Sequence, residues 1–139
     1  MARRRRKQSL PTEPVTIDIT ALSHDGRGIG RIEGKTVFVD SALPGETVNF
    51  VYTQKRGKFD EGRTVAVLKA SADRVSPRCA QAGLCGGCSL QHMEPAAQIH
   101  MKQGVLLEQL QHFGELQPEE ILQPLTGPEY GYRRKARLG

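Results

Sequence analysis

The stretch Ile29-Gly30-Arg31-Ile32-Glu33-Gly34-Lys35-Thr36-Val37-Phe38-Val39 predicts a β-hairpin. Residues 29–32 and 36–39 are rich in β-branched and aromatic side chains, which fit a pleated, half-buried strand. Between them, Glu33-Gly34-Lys35 has the composition of a tight turn. We therefore expect two antiparallel strands joined near Gly34.

Further β-rich runs lie on both sides of this hairpin. Residues 15–20 alternate apolar and polar side chains, and large apolar side chains recur at every second position of 48–52. Both patterns have the period of a half-buried strand, and residues 64–68 form the last β-rich run. Five short strands without a long helix between them predict a mainly β small barrel of the OB type, spanning residues 14–72.

The glycines before the hairpin invite comparison with a nucleotide-binding loop. Gly26, Gly28 and Gly30 alternate with other residues just ahead of the turn. A dinucleotide-binding glycine loop follows a strand and opens a helix, whereas this one opens another strand. Backbone freedom at a corner of the barrel explains these glycines better.

Positive charge is concentrated near the N-terminus. The formal net charge is +5, and five positive charges come from consecutive residues: Arg3, Arg4, Arg5, Arg6 and Lys7. A run of like charges repels itself, so residues 1–13 are expected to form a disordered arm. A solvated tail and a phosphate-binding arm both fit, and four arginines favour phosphate because guanidinium offers it a planar fork.

The predicted barrel carries its own basic residues, with aromatic residues among them. The basic set is Arg27, Arg31, Lys35, Lys55, Arg56, Lys58 and Arg63. Phe38, Tyr52 and Phe59 are interleaved with it. Basic grooves with aromatic stacking platforms are typical of single-stranded nucleic-acid binding by OB folds. The alternative is a set of ordinary solvated residues around core aromatics.

All three cysteines of the chain lie within ten residues, in the predicted loop 73–93. Cys79, Cys85 and Cys88 have the spacing C-x5-C-x2-C, with glycines between the last two. A disulfide leaves one cysteine over, and a thioredoxin-like pair needs a βαβ setting that is not predicted here. Zinc fits if His92 completes a Cys3His site. An iron–sulfur cluster fits if a fourth ligand comes from elsewhere.

The remaining segment, 94–139, begins with a predicted helix. Pro95 occupies a favourable early position, and Gly114 ends the pattern. Apolar residues form one stripe along it, which indicates a packing face: Ile99, Leu106, Leu110 and Phe113. The chain then turns basic at Arg133, Arg134 and Lys135, which we expect to contact nucleic acid and to begin the first strand of an incomplete further region.

Several classes of protein are disfavoured by composition. No apolar run approaches the length of a membrane span, and the basic N-terminus lacks the apolar segment of a secretory signal. We therefore expect a cytoplasmic protein without membrane contact, in which cysteines serve metal or redox chemistry.

The order of the predicted elements resembles that of a known family. These elements are the barrel, the sequence from Cys79 to Cys88, the helix and the segment Gly131-Tyr132-Arg133-Arg134-Lys135-Ala136-Arg137. The chain is similar to the N-terminal part of the bacterial 23S rRNA (uracil-5-)-methyltransferases that carry an iron–sulfur cluster. Within them, a TRAM domain at this position resembles the branch named for uridine 1939. The segment from Gly26 to Val39 is TRAM-like.

The resemblance implies a function in RNA modification. Cys79, Cys85 and Cys88 would bind a [4Fe-4S] cluster whose fourth cysteine lies beyond this chain, and His92 would be a bystander. The substrate would be 23S ribosomal RNA rather than DNA, and S-adenosylmethionine the methyl donor. The nucleophile, the base and the S-adenosylmethionine-binding domain would also lie beyond Gly139, so these 139 residues should be inactive alone. The helix from Pro95 to Phe113 would pack on that missing catalytic domain.

Two other classes stay open. A stand-alone RNA-binding module with a Cys3His zinc site needs no catalytic domain. A radical S-adenosylmethionine methylthiotransferase also contains a TRAM domain, but the spacing C-x3-C-x2-C of that chemistry differs from the spacing here.

Overall fold

The computed structural model describes residues 9–135, in two compact units that divide after Glu94. The first unit contains six strands. Their bounds are β1 Val15–Asp18, β2 Ala21–Leu22, β3 Gly28–Ile32, β4 Lys35–Asp40, β5 Thr47–Lys55 and β6 Phe59–Lys69. The second unit contains one helix, α1, Pro95–Gly114.

The six strands form one sheet in the order β1-β5-β6-β4-β3-β2. Its two edge strands, β1 and β2, follow each other in the chain and are separated only by Ile19 and Thr20. The Ile19 N–H donates to the carbonyl of Glu46 (2.9 Å), while the Thr20 N–H donates to the carbonyl of Ile29 in β3 (2.8 Å). The chain therefore changes its pairing partner between Ile19 and Thr20, from β5 to β3. Because β1 and β2 form the two edges of the sheet and follow each other directly, they close the sheet into a barrel.

The core follows from the period of the strands. In β4, Val37 and Val39 point inward and are fully buried, so Phe38 between them points outward. In β5, Val48 and Phe50 point into the same core. A Cβ on Gly62 of β6 would lie 2.3 Å from the ring of Phe50, so only glycine leaves room for that ring.

The hairpin at the centre of the sequence is formed by β3 and β4, which pair antiparallel. Ile32 pairs with Lys35, so the turn consists of Glu33 and Gly34 alone, with φ of 49° and 81°. Positive φ at both positions is the geometry of the two-residue turns that suit twisted hairpins. Lys35, predicted within the turn, is the first residue of β4.

The glycines of β3 allow close approach of the first strand. A Cβ on Gly30 would lie 2.6 Å from the carbonyl oxygen of Asp18 and 2.6 Å from Ile17. A Cβ on Gly28 would meet Ala42 at 2.9 Å. Neighbouring segments of the barrel occupy the space beside both glycines, and β3 is followed by β4 rather than by a helix. Both facts agree with a corner of the barrel and not with a nucleotide-binding loop.

The predicted fold class, a mainly β small barrel of the OB type followed by a helix, is confirmed. Two details differ from the prediction: β2 was not predicted, and β6 begins at Phe59 instead of Thr64. The helix ends at Gly114 as predicted, and Glu115 follows with φ of 50°. Residues 115–135 have no regular secondary structure, so the strand expected in the basic segment near 133 stays a prediction. No helix within residues 9–135 is both long enough and apolar enough to span a membrane.

Candidate nucleic-acid interface and cysteine loop

An aromatic pair on the outside of the barrel lies between two arginines. Phe38 of β4 and Phe59 of β6 meet edge to face, with ring centroids 5.4 Å apart. The Arg27 guanidinium lies over the Phe38 ring (4.8 Å to the centroid), and that of Arg56 lies over the Phe59 ring (5.4 Å). We call Arg27, Phe38, Phe59 and Arg56 the outer ladder. Stacked guanidinium and aromatic planes are the groups on which unpaired bases stack.

Acidic side chains hold both arginines of the outer ladder. Glu61 Oε1 lies 3.7 Å from Arg27 Nη1 and 3.5 Å from Arg56 Nε, and Asp25 Oδ2 accepts a 2.9 Å hydrogen bond from Arg27 Nε. Glu61 reaches both because the parallel pairing of β4 with β6 sets it beside Phe38. Burial raises the pKa of the neighbouring Asp40, and the positive charge of Arg27 opposes that rise. The two guanidinium groups are thus oriented before any ligand arrives.

The ends of the outer ladder lie in two loops of the barrel. Arg27 ends the loop between β2 and β3, and Arg56 begins the loop between β5 and β6. In OB folds the corresponding loops and the face between them bind oligonucleotides. The position of the ladder is therefore the one at which such a barrel binds single-stranded nucleic acid.

Lys35 has a structural partner in the same region. Its Nζ donates to Oδ1 of the buried Asp60 (2.7 Å) and to the carbonyl of Arg56 (2.6 Å). Asp60 Oδ1 also accepts the Arg56 N–H at 3.1 Å. Lys35 therefore fixes the loop that carries Arg56, and its charge is largely neutralised by Asp60.

Tyr52 is separate from the outer ladder. Its ring packs edge-on against the buried Phe50, with centroids 4.8 Å apart, so it belongs to one end of the core. Lys55 Nζ lies over the Tyr52 ring at 4.6 Å. Of the three aromatics proposed as stacking faces, the structure brings together Phe38 and Phe59.

The other predicted RNA-binding residues are dispersed. Arg31 bonds the carbonyl of Gly34 at the β3–β4 turn (3.2 Å). Lys58 and Arg63 are exposed on the β5–β6 loop and on β6, and Arg133, Arg134 and Lys135 are exposed in the second unit. The arm from Arg3 to Lys7 lies outside the described residues.

The cysteine loop leaves the barrel through a short stem. Arg74 and Met93 form an antiparallel bridge, with hydrogen bonds from the Val75 N–H to the His92 carbonyl (3.0 Å) and from the Glu94 N–H to the Asp73 carbonyl (2.8 Å). The stem brings residues 73–75 beside residues 92–94, so residues 76–91 form a closed loop.

The stem is fixed to the barrel by the buried carboxylate of Glu46. Arg74 donates to both its oxygens, from Nε to Oε1 (2.5 Å) and from Nη2 to Oε2 (2.8 Å), and backbone N–H groups of Leu43 and Ser71 add two bonds. Burial by itself would raise the pKa of Glu46, but these hydrogen bonds, first those from Arg74, hold it below its ordinary value. Leu90 of the loop also packs against Gly26 of the barrel, where an added Cβ would lie only 3.0 Å from the Leu90 side chain.

Within the loop, the three cysteine thiols are exposed and free. The Cys79 N–H donates to the side chain of Gln91 (3.1 Å), and a Cβ on Gly87 would lie 3.3 Å from Cys85 Sγ. In residues 9–135 no three His, Cys, Asp or Glu side chains converge as a metal site. The donor set therefore suits a thiophilic metal, while the sulfurs do not yet share one coordination sphere.

A cleft of about 140 Å³ lies between the loop and its stem, with Cys88 and His92 among its lining residues. His92 is 6% exposed, and its Nε2 has no hydrogen-bond partner among the described residues. Burial lowers the pKa of His92, the charge of Arg74 lowers it further, and Glu46 opposes both. The imidazole is therefore neutral near pH 7.

Sequence reasoning missed Glu46 and Arg74, and it treated His92 only as a ligand or a bystander. Glu46 and Arg74 are 28 positions apart, and no local pattern marks either. The only available signal was an acidic residue at an otherwise β-rich position after Pro44-Gly45.

The helix of the second unit has no buried residue. Leu106 and Phe113 of the predicted apolar stripe are exposed, Phe113 by 82%. The segment that follows exposes further large apolar side chains: Leu116, Ile121, Leu122 and Leu125. Ile99 and Leu110 are half-buried, so the exposed part of the apolar stripe is formed by Leu106 and Phe113.

Comparison with known proteins gives consistent matches. Residues 8–50 match the TRAM domain family. The chain is 60% identical over 135 residues to a 23S rRNA (uracil(1939)-C(5))-methyltransferase, RlmD, of Alcanivorax borkumensis, covering 97% of this chain and 30% of that protein. The RlmD proteins of Nitrosococcus oceani and Alkalilimnicola ehrlichii are 55% and 54% identical over 100% and 99% of this chain, each covered to 31%.

One solved structure is also similar in sequence. It is the solution structure of a conserved protein of Methanococcus maripaludis, 30% identical over 43% of this chain and 90% of that one, with a TM-score of 0.37. The curated methyltransferases named above are longer than this chain, which spans less than a third of their length.

Proposed function

We propose that this chain is the RNA-binding and metal-binding portion of a bacterial 23S rRNA (uracil(1939)-C(5))-methyltransferase, because it is 60% identical to 30% of one such protein and matches the TRAM domain family. The outer ladder is the observation that carries the RNA-binding part. The three clustered thiols support the metal-binding part.

In this proposal the barrel holds 23S ribosomal RNA as a single strand. Arg27 and Arg56 are oriented by Glu61 and lie over the rings of Phe38 and Phe59, so bases can stack on the ladder while phosphates contact the guanidinium groups. The arm from Arg3 to Lys7 adds charge that contacts phosphates without reading bases. Affinity therefore comes mainly from phosphates, with stacking favouring unpaired RNA.

The cysteine loop is proposed to hold a [4Fe-4S] cluster through Cys79, Cys85 and Cys88. Three soft thiolates on one glycine-rich loop suit such a cluster, and a cleft beside Cys88 leaves space next to a sulfur. A bound cluster would cross-link three points of the loop and order it. The fourth ligand would come from outside these residues, because the chain has no further cysteine.

The proposed reaction of the whole protein is methyl transfer from S-adenosylmethionine to carbon 5 of a uridine. A cysteine thiolate would add to carbon 6 of the base, and carbon 5 would then take the methyl group from S-adenosylmethionine, leaving S-adenosylhomocysteine. A general base would remove the proton from carbon 5, and the electrons of that C–H bond would restore the C5–C6 double bond and expel the thiolate. All three cysteines of this chain lie in the loop, so the nucleophile is expected in the remaining two thirds of the protein. The exposed stripe of α1 is proposed to pack on that catalytic domain, in a cytoplasmic enzyme.

RNA binding tests the proposal. The chain should bind an unpaired fragment of 23S ribosomal RNA, and Arg27→Gln with Arg56→Gln should weaken binding strongly. Lys69→Gln with Lys102→Gln is the matched control, because it removes two positive charges that do not belong to the ladder. Equal losses in the two double variants would contradict a role for the ladder.

The metal is tested on a longer protein purified without oxygen. We expect a brown protein that contains iron and sulfide. Stoichiometric zinc without visible absorbance, lost on His92→Ala, would instead support a Cys3His zinc module.

A further inference from the structure

His92 presents a buried nitrogen that lacks a partner. The residue is 6% exposed, and its Nε2 makes no hydrogen bond within the described part of the chain. Leaving a buried polar group unpaired costs about 1–3 kcal/mol, so native structures rarely tolerate one without a reason. This nitrogen is therefore open to a partner in the adjoining cleft, either a water molecule or a group that the loop brings in.

The position of His92 identifies the group that this nitrogen can meet. His92 lines the cleft of about 140 Å³ together with Cys88, and that volume exceeds what one water molecule needs. Three loop glycines surround Cys88 and Cys85, so a sulfur can move without moving the stem. His92 cannot move as easily, because its carbonyl accepts the Val75 N–H within the stem.

We propose that His92 donates its Nε2–H to the sulfur of Cys88 when the loop binds a metal, and so acts as a positioning residue rather than as a ligand. The proposal rests on the metal-binding part of the proposed function. A metal-bound thiolate only accepts hydrogen bonds, so this contact selects the tautomer with the proton on Nε2. Outer donors of this kind orient metal ligands.

Direct ligation by His92 agrees less well with the structure. The three thiols are exposed while the imidazole is buried, and no group of three potential ligands within residues 9–135 includes it. Ligation would require Nε2 and the exposed sulfurs to meet at one ion, about 2.0–2.3 Å from each. A donor on the floor of the cleft needs only that Cys88 turn inward.

The test is a titration of the reduced chain with Co²⁺, whose thiolate charge-transfer and ligand-field bands report affinity and donor set. His92→Leu removes the donor, and His92→Gln keeps an N–H at similar reach. We expect His92→Leu to bind Co²⁺ about 10- to 100-fold more weakly with unchanged ligand-field bands, and His92→Gln to bind like the original chain. His92→Asn, polar but shorter, replaces His92→Leu if that variant does not fold.

Other outcomes overturn the inference. Equal affinity in all variants would make His92 a bystander, and shifted ligand-field bands with weak binding in both variants would make it a ligand. Failure of the original chain to bind Co²⁺ would also reject it. The iron and sulfide content of the longer protein decides the proposed cluster separately, so the two failures are distinguishable.

Discussion

Glu46 and Arg74 form a bidentate ion pair that connects the barrel to the stem of the cysteine loop. The carboxylate is 1% exposed and accepts from both Nε and Nη2 of the guanidinium, at 2.5 and 2.8 Å. Arg74 Nη2 also donates to the carbonyl of Ser41 (2.8 Å). One arginine therefore joins the stem to two places on the barrel.

Removing this arginine should destabilise the barrel. Arg74→Met leaves a buried carboxylate without its charged partner, which costs about 3–5 kcal/mol in buried pairs. Because Arg74 is partly exposed, we expect the lower end of that range, measured by urea unfolding. Asp25→Asn, which breaks the exposed pair with Arg27, is the control and should cost about 0–1 kcal/mol. Similar costs in both variants would contradict the importance of the buried pair.

Stability should decline in acid in two windows. Folding lowers the pKa of His92 from its ordinary value of 6.5. Below about pH 6.5 the unfolded state therefore binds a proton at this histidine while the folded state stays unprotonated there, and the free energy of unfolding falls. The pKa of Glu46 is lowered from 4.5, so its contribution is present above that pH and is lost as pH falls further. Asp40, whose pKa is raised, partly offsets the second window.

Melting temperature against pH, measured on the metal-free chain, checks this prediction. His92→Gln should flatten the slope just below pH 6.5 and leave the slope below pH 4.5 unchanged. An unaltered upper slope in that variant would mean that another group titrates there.

The outer ladder should contribute stacking energy to RNA binding. Phe38→Ala or Phe59→Ala removes a ring on which a base or an arginine stacks, and we expect a loss of about 1–3 kcal/mol per stacked base. Val65→Ala, at another exposed position of β6, is the control and should bind normally. Fluorescence anisotropy with unpaired RNA measures the effect, and an unchanged affinity in both Phe variants would show that bases do not use these rings.

The basic arm should contribute through salt-dependent phosphate contacts. Each neutralised phosphate of a single strand adds about −0.7 to the slope of log K against log salt. Deleting Arg3 to Lys7 should therefore flatten the slope by up to about 3.5, with little change in sequence preference. The slope is measured on the intact chain and on the deletion variant. Identical slopes would leave RNA contact to the barrel alone.

The 139 residues alone should transfer no methyl group from S-adenosylmethionine to ribosomal RNA, because their cysteines all lie in the loop. Incorporation of label from radioactive S-adenosylmethionine measures this activity, with a full-length relative as the positive control. Turnover by the isolated chain would place a nucleophile within these residues.

Local patterns predicted those parts of the barrel that depend on neighbours in sequence. The β3–β4 hairpin was recognisable because alternation and Glu33-Gly34 act within a few residues. The start of β6 was not recognisable from the sequence, because residues 59–63 contain three charged side chains and Gly62. Their strand conformation depends on parallel pairing with β4, which no local pattern encodes.

The candidate sites divide in the same way. The cysteines were visible by spacing, and the basic and aromatic residues by composition. The choice of Phe38 and Phe59 over Tyr52 required the fold, since only the register shows which rings lie outside. The burial of His92 depends on the stem, and the stem is fixed by the ion pair of Arg74 with Glu46. These two residues are 28 positions apart, so no local pattern predicts their contact.

The order of the strands also determines when the protein can assemble during synthesis. β6 is the last strand of the barrel to be made, yet it lies between β4 and β5, so the barrel cannot close until Lys69 has left the ribosome. Such late, non-local pairing is slow compared with hairpin formation. Cys88, the last of the three cysteines, follows Lys69 by 19 residues, so a barrel that closes while those residues are made is in place before the last sulfur emerges. Whatever delivers metal to the nascent chain then meets the thiols on a folded support.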